Sequence, residues 1–358
     1  MKITDIRFKK ASFRFKEPVH VAFGIIEGYE TVIIRMDTDQ GITGYGEAGP
    51  LGFVTGDSLD TCLTIAEDFK TEFIGEDPLA IERIHQIMDA RYNYNTSVKA
   101  AFDIACYDIA AKNAGLPLYR YLGGFDPQIE SDMTISMDEP QKMADDCLGW
   151  IKKGFRILKL KLGDDIVKDM ERVRTVRNAI GKDIVLRIDA NQGWTAKEAI
   201  AIEPVLRENN IELIEQPVKA KDYTGLKEVK DKCILPVVAD ESIHVPEDAA
   251  LLAGMRACDG FNIKLMKCGG IFPALKINAV AEANHMMTMI GCMGESIIAN
   301  TAGMHLAAAR RNISKIDLDV TFMTSCDWIT GGFTAEGGCI TLTEEPGIGI
   351  HIDQFQEA

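Results

Sequence analysis

Between about residue 129 and residue 320, short apolar runs alternate with amphipathic helical patterns, and few folds accommodate that rhythm. Strands are expected near 130–137, 156–163, 184–190, 211–216, 236–241, 260–267, 287–293 and 315–320. Helical patterns fill the gaps, as at Glu139–Lys153, Ala196–Glu208 and Phe272–Asn284. Strands joined by helices pair in parallel, because a parallel partner needs a long crossover. Eight such strands with seven intervening helices close into a (β/α)7β modified TIM barrel, an α/β fold that works from the C-terminal rim of its strands.

The charged residues fall on that rim. In Arg156–Gly163 the alternation sends Lys159 and Lys161 to one face and Leu158, Leu160 and Leu162 to the other. Two ammonium groups facing the inside of a barrel repel each other and lose hydration, unless an anion or a reaction needs them. The strands that follow end in Asp189, Glu215, Asp240 and Lys264, separated from Lys161 onward by 28, 26, 25 and 24 residues. That spacing is one strand-plus-helix unit, so all five groups share one rim. Three converging carboxylates with no histidine or thiolate among them form a hard oxygen site suited to Mg²⁺. A substrate carboxylate on that ion would be flanked by Lys161 and Lys264. Proton loss from the neighbouring carbon is hard, since a pKa gap of about ten units already amounts to ~14 kcal/mol. The metal and a further cation, Lys159, would stabilise the enediolate. Desolvation and neighbouring cations are expected to depress the lysine pKa values. Bases on opposite faces invert the carbon.

Upstream, Ile3–Phe15, Glu30–Met36 and Gly41–Glu47 read as antiparallel strands, with an irregular apolar loop at 18–28 and a second at 48–56. Helical patterns cover about 58–74, 78–91 and 95–114, the second opening at Asp77-Pro78. This gives an α+β capping domain at 1–125, a barrel at 126–320, and a segment at 321–358. That last segment lacks an eighth helix and is expected to return to the cap, completing it. The formal net charge of −15 argues against nucleic acid and anionic membrane as partners. Nine scattered cysteines without a C-x-x-C pair suit a reducing compartment. The N-terminus lacks the apolar core of a signal peptide, and no apolar run of about 18 residues occurs, so a cytoplasmic protein is expected.

Lys159-x-Lys161, the three spaced carboxylates and Lys264 together resemble the enolase superfamily, muconate-lactonising-enzyme subgroup, whose sites pair a lysine or histidine base with Mg²⁺. The resemblance covers nearly the whole chain. It implies metal ligands at Asp189, Glu215 and Asp240, acid/base lysines at Lys161 and Lys264, an assisting Lys159, and a supporting Asn191. Within the subgroup, Asp317-x-Asp319 resembles the pair with which dipeptide epimerases hold the substrate α-ammonium, a charge-assisted cage for one NH₃⁺. It weighs against muconate cycloisomerases and succinylbenzoate synthases, whose substrates have no ammonium. The activity implied is a Mg²⁺-dependent dipeptide epimerase. An L-Ala-D/L-Glu epimerase, an N-acylamino-acid racemase and an o-succinylbenzoate synthase stay open as alternatives, and so does a homo-oligomer.

Specificity is expected from the two cap loops. In epimerases preferring Ala-Glu, an arginine of the first loop meets the glutamate; Gly24 falls at that position here. No lysine or arginine occurs from Glu17 to Glu30, and Phe23, Ile25, Ile26 and Phe53 offer apolar surface instead. A hydrophobic second residue is therefore expected. Glu295, at the end of the seventh strand, is expected to face the pocket. Glu47 receives no catalytic role, Lys267 is a poor base candidate lying past its strand, and the histidines read as structural.

Overall fold

A computed structural model describes residues 1–21, 24–353 and 355. Strands β1 (Ile3–Val21), β2 (Gly24–Thr38) and β3 (Thr43–Ala48) form an antiparallel sheet in chain order. Within the stretch expected as an irregular loop at 18–28, the described residues belong to the outer arm of the β1–β2 hairpin. Val19 faces Ile26, His20 faces Ile25 and Val21 faces Gly24 across it. The register shifts between Arg14 and Val19, and that irregularity interrupts the alternation a strand should show.

Helices α1 (Leu59–Phe73) and α3 (Thr96–Asn113) cover the sheet, and α2 (Ile81–Arg91) packs against both. Ser58 and Thr61 close a capping box on α1. Asp77-Pro78, expected to open α2, instead forms a turn in which Leu79 N–H donates to the Asp77 carboxylate at 3.0 Å; the helix begins at Ile81. From Ser97 to Ala111 every residue of α3 is buried, because the cap sheet covers one side and the barrel the other. The sheet approaches so closely that a Cβ on Gly46 would stand 1.8 Å from the Ala101 carbonyl oxygen, so only glycine fits there. Phe69, Phe73 and Phe102 fill the cap core with stacked and edge-on rings.

A short helix α4 (Leu118–Tyr121) and strand β4 (Gln128–Glu130) lead to the barrel. Its parallel strands are β5 (Met133–Ile135), β6 (Ile157–Lys161), β7 (Val185–Asp189), β8 (Ile211–Glu215), β9 (Val237–Ala239), β10 (Gly260–Ile263), β11 (Met287–Gly291) and β12 (Ile313–Asp317), in that order. The connections are α5 (Pro140–Lys152), α6 (Ile166–Ile180), α7 (Ala196–Glu208), α8 (Tyr223–Lys232), α9 (Pro246–Met255), a short α10 (Leu265–Cys268) with α11 (Ile271–Ala283), and α12 (Ile297–Ala309). Asp132 N–H donates to the Ile316 carbonyl at 2.9 Å where the first and last strands meet, so the ring is nearly closed. Two strand ends differ from expectation. The sixth stops at Ile263, and Lys264 is the N-cap of α10; a buried helical turn and a buried strand both read as an apolar run. The last stops at Asp317, and Asp319 is the N-cap of α13 (Val320–Met323).

Beyond the barrel come β13 (Ile329–Gly331), β14 (Phe333–Glu336), β15 (Cys339–Leu342) and β16 (Ile350–Ile352). β15 pairs with β4, and β13 with β16. Leu118 N–H donates to the Gly347 carbonyl at 2.7 Å, Ile348 N–H donates to Asp108 at 2.9 Å, and Lys9 lies over the Trp328 ring. This segment thereby touches the cap helices and the cap sheet. Among the described residues, no helix is long and apolar enough to cross a membrane.

Candidate active site

Asp189 ends β7, Glu215 ends β8 and Asp240 follows β9, so three adjacent strands deliver three buried carboxylates to one rim. Their ligand oxygens all lie within 4.8 Å of one another. Asp189 accepts Asn191 N–H at 2.8 Å and Lys161 Nζ at 2.6 Å. Asp240 accepts Lys264 Nζ at 2.7 Å and also bonds Lys267. Glu215 Oε1 accepts the Asn262 amide at 2.7 Å, whereas its buried Oε2 has no hydrogen-bond partner. Burial and then Asp189 push the Glu215 carboxyl up to about 8. Burial would raise Asp240 too, but Lys264 and Lys267 outweigh it and hold that carboxyl well below the usual range. Three oxygen donors converging around an orphaned buried oxygen suit a hard divalent cation such as Mg²⁺.

Lys161 and Lys264 stand four strand positions apart, on β6 and just after β10, in a ring of eight. Each pairs with an outer member of the carboxylate row, with Glu215 between them. Lys159 points inward from β6, ion-pairs with Asp317, and lies 3.7 Å from Glu215 Oε2. At Lys159 and Lys264 the neighbouring carboxylates work against the expected depression. Burial lowers Lys264, but Asp240 and Glu215 prevail and hold its ammonium above the ordinary range. Lys159 is raised in the same way, by Asp317 and Glu215 against its burial.

Asp317 and Asp319 converge, together with Asp132, although strand alternation is not the reason. The chain turns into α13 after Asp317, and Asp319 is fixed by Thr134 N–H at 2.7 Å. Burial and Asp317 raise the Asp319 carboxyl; Asp317 itself is lowered by Lys159 and Lys161 despite its burial.

One cavity is lined by Lys159, Lys161, Lys264, Asp240, Asp317 and Asp319. Its cap side is apolar: Phe15, Val19 and Ile26 come from the hairpin, and Leu51, Phe53 and Val54 from the loop after β3. A groove of about 780 Å³ beside it shares Val19, Thr134 and Met323 but none of the strand-end lysines or carboxylates. Gly24 and Ile25 sit at the hairpin tip outside the cavity lining, with Ile25 65% exposed, because pairing in the arm turns Ile26 and Val19 inward instead. Phe23 lies outside the described residues. Glu295 is buried one layer behind the lining, where its carboxylate accepts Met293 N–H at 2.6 Å, and burial pushes it up to about 8.

Three further residues shape the rim without being evident in the sequence. Asn262 orients Glu215, and Lys267 braces Asp240 and its backbone carbonyl. Gln216, with a left-handed φ of 32°, receives Asp240 N–H at 2.8 Å and Ser242 N–H at 3.1 Å on its amide oxygen. The position of Lys267 three residues after Lys264 was the available signal, since one helical turn brings both to the same carboxylate.

A capped parallel barrel with lysines and carboxylates on its C-terminal rim is the architecture of the enolase-type enzymes. Residues 142–356 match the enolase C-terminal domain-like family, and residues 3–123 match the mandelate racemase / muconate lactonizing enzyme N-terminal domain. The chain belongs to this family. It is 44% identical to the hydrophobic dipeptide epimerase of Enterococcus faecalis, over 98% of this chain and 99% of that one. It is equally similar, with the same coverage, to the L-Ala-D/L-Glu epimerase of Clostridium acetobutylicum. The crystal structure of the dipeptide epimerase from Enterococcus faecalis complexed with Mg and L-Leu-L-Tyr superimposes with a TM-score of 0.96, covering 98% of this chain and 99% of that one. A substrate-liganded L-Ala-D/L-Glu epimerase from Bacillus subtilis, 40% identical, gives the same score and coverage.

Proposed function

We propose that the protein is a Mg²⁺-dependent dipeptide epimerase that inverts the α-carbon of the C-terminal residue by 1,1-proton transfer and prefers hydrophobic dipeptides. The observation that carries this reading is the seating of Lys161 and Lys264 on opposite sides of the ring, each against an outer carboxylate of the row. Asp189, Glu215 and Asp240 would hold Mg²⁺, which when bound supplies positive charge to a substrate carboxylate. One lysine then takes the α-proton, and the opposite ammonium returns a proton to the other face, so the C–H bond broken is replaced by one of opposite hand. Lys159 adds positive charge beside the carboxylate into which the electron pair delocalises. Asp317 and Asp319 accept from the substrate ammonium. Residues 1–125 act as the cap, 126–320 as the catalytic barrel and 321–358 as the segment that joins them.

The apolar cap side of the cavity supports a hydrophobic second residue, in keeping with the L-Leu-L-Tyr bound to the Enterococcus faecalis relative. L-Ala-D/L-Glu epimerisation is the second reading, since relatives of that name are as similar. It is disfavoured because Phe15, Val19, Ile26, Tyr29, Leu51, Phe53 and Val54 bring no cation to the cap side. A panel of L-Ala-L-Xaa dipeptides, assayed with Mg²⁺ for inversion and α-proton exchange in D₂O, tests both. Leu, Phe and Tyr as second residues should give the highest kcat/KM; Glu as the best second residue contradicts the preference.

A further inference from the structure

Glu47 is fully buried near the end of β3, and its carboxylate reaches across to the barrel. Its carboxylate accepts Ser296 N–H at 2.8 Å on one oxygen, and Ser296 Oγ–H at 2.7 Å and Ala299 N–H at 3.1 Å on the other. These donors form the N-terminus of α12, where the helix leaves amide hydrogens unpaired and favours negative charge. Ser296 is also the helix N-cap, accepting Ile298 N–H at 3.3 Å on the same hydroxyl. A carboxylate of the cap thus finishes the end of a barrel helix.

The two chains clamped by this contact both build the pocket. Leu51, Phe53 and Val54 follow Glu47 within seven residues, and Cys292, Met293 and Gly294 precede Ser296 within four. The seam between them has no slack: a Cβ on Gly49 would stand 2.5 Å from the Gly294 carbonyl oxygen, and one on Gly294 would stand 2.7 Å from Tyr29 Cβ. Glu47 itself does not line the cavity.

We propose that Glu47 is a positioning residue for the epimerase site. By locking the loop after β3 to the loop after β11, it sets the pocket wall that receives the substrate side chain. The inference rests on the dipeptide reading above. A glutamine at this position keeps the shape but turns an NH₂ toward donors, so part of the clamp is lost and the wall shifts. Lost ground-state contact appears in KM, whereas the lysines and carboxylates at the barrel strand ends keep kcat.

Asp108 supplies the control. It is equally buried and accepts Tyr45 N–H at 3.0 Å, Ile348 N–H at 2.9 Å and Lys112 Nζ at 2.7 Å, and none of these partners lines the cavity. With L-Ala-L-Leu as substrate, Glu47→Gln should raise KM about tenfold and leave kcat within about twofold, a pattern of lost uniform binding. Asp108→Asn should lower the melting temperature and leave KM unchanged. An unchanged KM in Glu47→Gln, or an equal rise in Asp108→Asn, overturns the proposal. If Glu47→Gln does not fold, Ser296→Ala, which removes one donor to Glu47, is held to the same criterion. Amide exchange provides a readout independent of turnover: residues 49–56 and 292–299 should lose protection together in Glu47→Gln, and unaltered protection overturns the inference. Native protein that epimerises no dipeptide, together with this coupled loss in Glu47→Gln, would instead refute the epimerase reading alone.

Discussion

Asp319 shows how much of the site depends on a single side chain. It is buried, held by Thr134 N–H, and raised by its burial and by Asp317, so a cationic partner gains by keeping it ionised. Asp319→Asn should raise KM for dipeptides with a free N-terminus by about tenfold or more, the range for a lost charge-assisted bond. The same variant should lose discrimination against N-acetylated dipeptides; steady-state kinetics with both substrates checks this, and an unchanged preference for the free amine would remove Asp319 from ammonium recognition. The lysines and the three carboxylates were legible because each lies near or just past the C-terminal end of a barrel strand, and the repeat of the fold is also the repeat of the sequence. Asn262 and Gln216 were not, because a contact from one strand end to another leaves no period in the chain.

At the scale of elements, the parts missed in the sequence are those whose regularity breaks. The hairpin arm beyond Arg14 carries a register shift, and its pairing is set by the partner strand rather than by alternation. α3, by contrast, was legible as a helix over about 95–114 and lies at Thr96–Asn113, although burial on all sides leaves no polar stripe to mark which face meets the barrel. Helix α12 carries a pH dependence of its own. Tyr119 N–H donates to His305 Nδ1 at 3.1 Å, so the buried ring is neutral, and burial brings it down to about 4. Between the unfolded value of 6.5 and about 4, the unfolded chain takes up a proton that the folded chain refuses. This contribution to stability is complete above 6.5 and is lost as the pH falls toward 4. Denaturant unfolding of His305→Gln across pH 7 to 4 should show a shallower decline than the native protein; identical slopes would mean that His305 does not titrate on unfolding.

For the whole molecule, cap, barrel and C-terminal segment are joined by carboxylates that capture backbone N–H groups: Glu47 on α12, Asp103 on α11 and Asp108 on Ile348. The rim carboxylates repel one another where they meet, so a bound cation should stabilise the fold as well as the reaction. At Mg²⁺ a hundredfold above its Kd, linkage gives about 2.7 kcal/mol, read as a higher melting temperature than in EDTA. Asp240→Asn should abolish that difference. The most direct test of the central claim concerns Lys161 and Lys264. With L-Ala-L-Leu and L-Ala-D-Leu in D₂O, Lys161→Ala and Lys264→Ala should each slow inversion by ~10²–10⁴-fold. Each should also exchange the α-proton of one epimer only, and the two variants should choose opposite epimers. Continued inversion by either variant, or exchange of the same epimer by both, would contradict two-sided proton transfer.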